Sequence, residues 1–180
     1  MSAEQGAVAP EWQVDHWFNA EANFSLHQLR GKVVLLHAFQ MLCPGCVTHG
    51  IPQAQRVQAA FSPEQLVVVG LHSVFEHHAV MNNAALQAFI HEYKLSFPIG
   101  IDRPGLGEAI PQTMRSYAMR GTPTAILIDR QGKIRWQRFG RPDDLQLGTA
   151  IGQLIAESAA APAATESAAG CSADGCVLPA

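Results

Sequence analysis

Val33-Val34-Leu35-Leu36-His37-Ala38-Phe39, followed three residues later by Cys43-Pro44-Gly45-Cys46, is the stretch from which the fold can be read. The first seven residues form a short, apolar, partly β-branched run of the kind buried on both faces of a sheet, interrupted only by His37. Pro44 suits the first turn of a helix, where its missing N–H would have had no partner anyway. Cys43 is therefore expected at a strand-to-helix junction. Free backbone N–H groups and the positive end of the helix dipole converge there, and both favour the reactive thiolate form of a cysteine. Cys46 falls one helical turn deeper, close enough to attack a mixed disulfide formed at Cys43. The spacing thus predicts Cys43 as nucleophile and Cys46 as resolving thiol. A Cys-x-x-Cys pair is also a common half of a zinc site, which needs two further ligands. Cys171 and Cys176 are available in principle, but a strand-to-helix placement suits a zinc knuckle poorly. The expectation is redox chemistry with no metal and no other cofactor.

Working outward, a helix is expected over 47–61 with Pro52 as a kink within it. A second buried strand follows over 65–72. After a loop holding Glu76, His77 and His78 comes an amphipathic helix over 83–93, with Leu86, Phe89, Ile90 and Tyr93 on one face. The three histidines His72, His77 and His78 cluster near one strand end, but no cysteine or carboxylate motif completes a metal site there, and a solvated loop is expected. A short strand is read at 97–101. Residues 123–129 and 134–139 form a hairpin across 130–133, and a final helix runs over 142–157. Strands alternating with helices and ending in a hairpin indicate an α/β layer fold. One domain over 1–157 is expected, followed by a disordered Ala/Pro/Ser-rich tail over 158–180 that carries Cys171 and Cys176.

Arg120-Gly121-Thr122-Pro123-Thr124 precedes the hairpin, and an X-Pro bond in a tight turn is where a cis peptide is tolerated. With the order strand, Cys-x-x-Cys, helix, strand, helix, strand, Gly-Thr-Pro-Thr, hairpin, helix, the sequence resembles the thioredoxin superfamily. Within it, residues 30–36, 43–46 and 121–124 resemble the TlpA-like branch, which is close to the redoxins and peroxiredoxins. The resemblance covers residues 10–157. It implies a thioredoxin-like fold with a central mixed β-sheet flanked by helices. It also implies that Pro123 is cis and lies against the cysteine pair, with Thr122 offering backbone groups to a bound substrate chain. The sequence departs from the family in three places. Leu42 replaces the tryptophan that commonly precedes the first cysteine. His37 replaces the buried aspartate six residues before it, and His49 replaces a glutamate three residues after the second. Those carboxylates handle the proton of the resolving thiol, a task within reach of a histidine. A hydrogen-bonded core histidine is the alternative reading of His37, since burial lowers an imidazole pKa.

The chain has 180 residues, a formal net charge of −3, an isoelectric point near 6.2 and a mean hydropathy of +0.05. This balance argues against nucleic acid or an anionic membrane as the main partner. The opening residues lack the basic and apolar regions of a secretory signal, so a cytoplasmic location is expected, where close cysteine pairs are more often catalytic than structural. A protein or small-molecule disulfide substrate and a thiol electron donor are the partners expected. Tethered by the tail, Cys171 and Cys176 are within reach of Cys43 and are read as a redox shuttle. Three functions compete: a thiol–disulfide oxidoreductase, expected to act as a reductase; a thiol peroxidase of the peroxiredoxin kind; and a non-enzymatic redox-sensing module. The peroxidase reading is weakened by Gln40, which stands where that family has a threonine three residues before its cysteine.

Overall fold

The structure is a computed structural model and describes residues 6–157. Among these residues six strands form one mixed sheet: β1 (Val14–Phe18), β2 (Val33–Phe39), β3 (Leu66–His72), β4 (Ile99–Asp102), β5 (Thr124–Ile128) and β6 (Ile134–Phe139), in the order β1-β4-β3-β2-β5-β6. The central strand β2 runs parallel to β3 and antiparallel to β5, while β1 and β6 are antiparallel edges. Among the described residues four α-helices accompany it: α1 (Ile51–Ala60), α2 (Asn83–Glu92), α3 (Gln112–Ser116) and α4 (Asp144–Ala156). This is the thioredoxin-like architecture that the resemblance implies.

Every residue of β2 is buried, because the pleat sends alternate side chains into two separate cores. Val33, Leu35 and Phe39 pack with Ile51, Ala54 and Val57 of α1, Leu86 and Ile90 of α2, and Leu147, Ile151 and Leu154 of α4. Val34, Leu36 and Ala38 face the other way, onto Trp12, Trp17, Leu26, Leu29, Met114 and Tyr117. His37 shares the parity of Leu35 and Phe39, so its ring points toward the helical layer that carries the cysteines.

Three short elements are absent from the sequence reading: β1, a 3₁₀ turn at Leu26–Leu29, and α3. The strand expected at 97–101 is displaced to Ile99–Asp102, since Pro98 has no N–H for a ladder and only its carbonyl takes part, accepting from Gly70 N at 2.8 Å. The helix expected over 47–61 starts earlier, at Pro44, and contains a π turn at Cys46–Gly50 before α1. Pro52 explains the irregularity: it offers no N–H, and its ring would crowd the carbonyl four residues back. The chain inserts one residue instead, and Ile51 N–H donates to the Cys46 carbonyl five residues earlier. The final helix is capped by Asp143, whose carboxylate accepts from Leu145 N at 3.0 Å and Gln146 N at 3.1 Å. Among the described residues no helix is long and apolar enough to cross a membrane. The tail read at 158–180, with Cys171 and Cys176, lies outside the described residues.

Candidate active site

Cys43 immediately precedes the helix that opens at Pro44 and is half-buried, whereas Cys46 is completely buried; both are free thiols. The loop from β2 is anchored by Cys43 N–H donating to the Gln40 carbonyl at 3.1 Å. The two cysteines meet directly: Cys46 N–H donates to Cys43 Sγ at 3.4 Å, a backbone donor aimed at the sulfur. Across from them the Thr122–Pro123 peptide is cis, and Cys43 Sγ donates to the Thr122 carbonyl oxygen at 3.5 Å. This loop is pinned at both ends, by Thr124 Oγ1 donating to the Gly121 carbonyl at 2.6 Å and by Gly140 N donating to the Pro123 carbonyl at 2.8 Å. Loop and helix approach each other at Gly45. A Cβ on Gly45 would lie 3.4 Å from Pro123 Cδ. Exposed Leu42 and Phe139 flank the site, with the Arg120 guanidinium 5.6 Å from the Phe139 ring centroid.

The two thiols differ in environment. Burial pushes the Cys46 thiol up to about 12, and the hydrogen bond with Cys43 adds to this, while hydrogen bonds from Gln40 backbone and the Thr122 hydroxyl oppose it. Cys46 is thus held protonated beside a more accessible partner.

His37 belongs to the same cluster. A Cβ on Gly50 would fall 2.5 Å from His37 Cε1, 2.8 Å from Nε2 and 3.2 Å from Pro123 Cβ, so the ring lies directly beneath the helix backbone and next to the proline. Its neighbours in the sheet are the small residues Gly70 and Ala125. Burial lowers its pKa to about 4, leaving a neutral imidazole at pH 7, and its Nε2 is buried without a partner. His49, by contrast, is exposed, with Nδ1 2.7 Å from Thr48 Oγ1 and no hydrogen bond to either cysteine. The structure therefore brings together Cys43, Cys46, Thr122, Pro123 and His37, but not His49. Among the described residues no group of three or more histidine, cysteine or acidic side chains is placed to hold a metal ion.

Three further residues shape the site without having been read as part of it in the sequence. Gln40 is buried between the cysteine loop and Thr122, its Nε2 3.4 Å from Thr122 Oγ1. Gly50 makes room for His37, and a glycine inside a helical pattern is a usable signal of such a contact. His72, also lowered by burial to about 4, presents Nε2 to Met41 N at 3.5 Å and so steadies the approach to Cys43. Nothing local in the sequence marks that contact, which spans two strands.

A Cys-x-x-Cys at a strand-to-helix junction, faced by a cis-proline loop on a mixed sheet, places the protein in the thioredoxin-like class. The chain belongs to the AhpC/TSA family, whose model matches residues 5–137. A thiol-disulfide isomerase from Corynebacterium glutamicum is 48% identical, with a TM-score of 0.81 over 85% of this chain and 98% of that one. A second solved structure, of a thioredoxin-like superfamily protein, is 52% identical with a TM-score of 0.82 over 86% of this chain and 99% of that one. Among curated relatives, Protein DipZ of Mycobacterium tuberculosis is 30% identical over 156 residues, 84% of this chain and 21% of that protein. The thiol-disulfide oxidoreductase ResA of Halalkalibacterium halodurans is 29% identical over 112 residues, 62% of this chain and 56% of that one. The chain spans about a fifth of the length of DipZ.

Proposed function

We propose that the protein is a thiol–disulfide oxidoreductase acting as a reductase on a protein or small-molecule disulfide. Cys43 as thiolate attacks one sulfur of the substrate disulfide, forming a mixed disulfide and releasing the other sulfur as a thiolate that takes up a proton. Cys46 then gives up its proton and attacks Cys43 Sγ. The internal Cys43–Cys46 disulfide forms as the second substrate thiol leaves, so the substrate gains the two electrons that the enzyme pair loses. An external thiol donor reduces the pair again.

The observation that carries this reading is the asymmetry of the pair: an accessible Cys43 facing the Thr122 carbonyl, and a buried Cys46 whose backbone N–H is 3.4 Å from the first sulfur. The names of the similar isomerase and oxidoreductase support it. Thr122 and Pro123 are assigned the substrate chain. For His37 the proposal is narrow. An imidazole near pKa 4 is too weak a base to hold the Cys46 proton, so the ring is assigned to seating the helix and the proline loop. His49, on the outer surface, is assigned no contact with the reacting sulfurs. Cys171 and Cys176 are assigned the shuttle role, exchanging with Cys43–Cys46, and the reductive direction suits a reducing compartment such as the cytoplasm.

Trapping tests the reading. The Cys46→Ser variant is expected to accumulate a mixed disulfide on Cys43 that identifies its partner by mass, while the wild type reduces insulin disulfides with a dithiol donor. Absence of both would refute it. Family membership gives one competing activity a specific basis, peroxide reduction through a Cys43 sulfenic acid resolved by Cys46. Hydrogen peroxide consumption faster than insulin reduction, with the same donor, would favour that activity.

A further inference from the structure

The surface onto which Cys43 opens differs in charge from the chain as a whole. The formal net charge is −3, yet residues 40–50 and 119–123, which carry the cysteine pair and the cis-proline loop, contain no aspartate or glutamate. Their one arginine is Arg120, two residues before Thr122, whose carbonyl oxygen lies 3.5 Å from Cys43 Sγ. Arg120 is exposed, and among the described residues no carboxylate lies within ion-pair distance of it, whereas Arg56, Arg103, Arg115 and Arg135 are each paired.

The guanidinium is held in place by something other than a counter-charge. It lies 5.6 Å from the centroid of the Phe139 ring, within the range of a cation–π contact. Phe139 is 52% exposed and is seated on the proline loop itself. A Cβ on Gly121 would fall 2.9 Å from Phe139 Cε2, and the next residue, Gly140, donates its N–H to the Pro123 carbonyl at 2.8 Å. The cation is thus fixed through Phe139 to the same loop that faces the reactive sulfur. We propose that Arg120, positioned by Phe139, is a specificity-determining residue that favours disulfides carrying a carboxylate close to the sulfur attacked by Cys43, an inference that rests on Cys43 being the nucleophile.

The chemistry suits an arginine. Its planar fork matches the two oxygens of a carboxylate and keeps its charge at every working pH. Contact with the ring restricts the side chain before any ligand arrives, so less freedom is lost on pairing. In the exchange itself the Cys43 thiolate attacks one sulfur of the disulfide. The Cys43–sulfur bond forms as the substrate S–S bond breaks, and the second sulfur leaves with the electron pair as a thiolate. Arg120 takes no part in those bonds. Its effect falls on encounter and orientation, and therefore follows the charge of the substrate.

The experiment uses the full chain carrying Cys46→Ser, Cys171→Ser and Cys176→Ser, which keeps Cys43 as its single thiol. This parent is mixed in stopped flow with 5,5′-dithiobis(2-nitrobenzoate), which bears ring carboxylates, and separately with neutral 2,2′-dithiodipyridine. The ratio of the two rates cancels any change in the reactivity of Cys43 itself. Arg120→Gln is expected to lower that ratio about threefold at low ionic strength, a size typical of exposed ion pairs. Arg120→Lys, with the charge but not the fork, should retain part of it. Lys133→Gln removes the same charge about 20 Å away along β6 and should leave the ratio unchanged.

Salt supplies a second readout, and its sign discriminates. A field set by the net charge of −3 repels the carboxylated probe, so screening would speed its reaction. Attraction to Arg120 predicts the reverse, a falling ratio as the screening length shrinks from about 10 Å at 0.1 M to about 3 Å at 1 M. An unchanged ratio in Arg120→Gln, or an equal loss in Lys133→Gln, would overturn the proposal. If Arg120→Gln does not fold, a ratio that rises with salt in the parent overturns it equally. Failure of the parent to react with either disulfide would instead overturn the assignment of Cys43 as nucleophile.

Discussion

Gly50→Ala tests whether His37 is lodged beneath the active-site helix as described. Carbon atoms in contact prefer separations of about 3.5–4.0 Å. An alanine Cβ here would meet His37 Cε1 at 2.5 Å and Nε2 at 2.8 Å, an overlap of roughly 1 Å with a ring that is 3% exposed. The ring has little room to withdraw, since Pro123 stands 3.2 Å from the same Cβ and Phe39 stacks nearby, its centroid 6.2 Å away. Overpacking of this kind costs about 1–3 kcal/mol. Replacing glycine by alanine in a helix returns about 0.5–1 kcal/mol through lower backbone entropy in the unfolded chain. The net expectation is a loss of about 1–2 kcal/mol, or a fall in Tm of roughly 3–6 °C for a domain of this size. In a His37→Ala background the clash with the ring disappears and the same substitution should stabilise by about 0.5 kcal/mol. The coupling between the two sites is then about 2 kcal/mol. Urea denaturation at pH 7 under reducing conditions, followed by fluorescence of Trp12, Trp17 and Trp136, measures all four corners of the cycle. A Gly50→Ala protein as stable as the parent, or equal effects in both backgrounds, would refute the packing argument.

Acid should weaken the fold in a defined window. His37 and His72 both fall from an ordinary value of 6.5 to about 4 through burial, so the folded protein keeps them neutral while the unfolded chain protonates them. Their stabilisation is complete above pH 6.5 and is lost as pH drops toward 4, by about 3 kcal/mol for each; unfolding free energies equal at pH 7 and 4.5 would contradict this. Asp102 is buried and accepts from Thr113 N at 2.8 Å, Met114 N at 2.9 Å and Ser73 Oγ at 2.8 Å. In Asp102→Asn an amide N–H faces a backbone donor, and a loss of about 2–3 kcal/mol is expected in urea denaturation. Tyr117→Phe removes a buried hydroxyl that donates to the Pro10 carbonyl at 2.6 Å. A loss of about 1–2 kcal/mol and faster amide exchange at Ala9, which donates to Gly132, are expected.

The central strands were legible because their signal is local. β6 lies where it was read, and β2 was visible as seven consecutive residues with one polar interruption. β1 was not, because in Val14-Asp15-His16-Trp17-Phe18 only Trp17 is buried, and an edge strand gains its ladder from a partner about 85 residues away. The five residues of α3 are too few for a periodic pattern, and its first turn is satisfied by a carboxylate on β4. At the site, the cysteine pair was found from its spacing, and Thr122-Pro123 through the family resemblance that the Gly-Thr-Pro-Thr run helps to carry. His37 was flagged by its departure from an apolar run, but its seat against Gly50 depends on how helix and sheet meet. His49 shows the converse limit: it was read from the place of a family glutamate, and in this chain that place falls in the π turn with its side chain exposed.

That π turn also separates two kinds of freedom. Each residue advances a helix by about 100°, so one extra residue rotates everything beyond it by that amount. The cysteine end can thereby face the proline loop while Ile51, Ala54 and Val57 face the sheet, two orientations that an uninterrupted α-helix could not satisfy together. Thr48 and His49 are exposed and open to substitution. Their number is not: removing either would swing Cys46 off its partner or turn Ile51 toward water. Between Cys46 and Ile51 the chain is constrained in length while remaining permissive in composition.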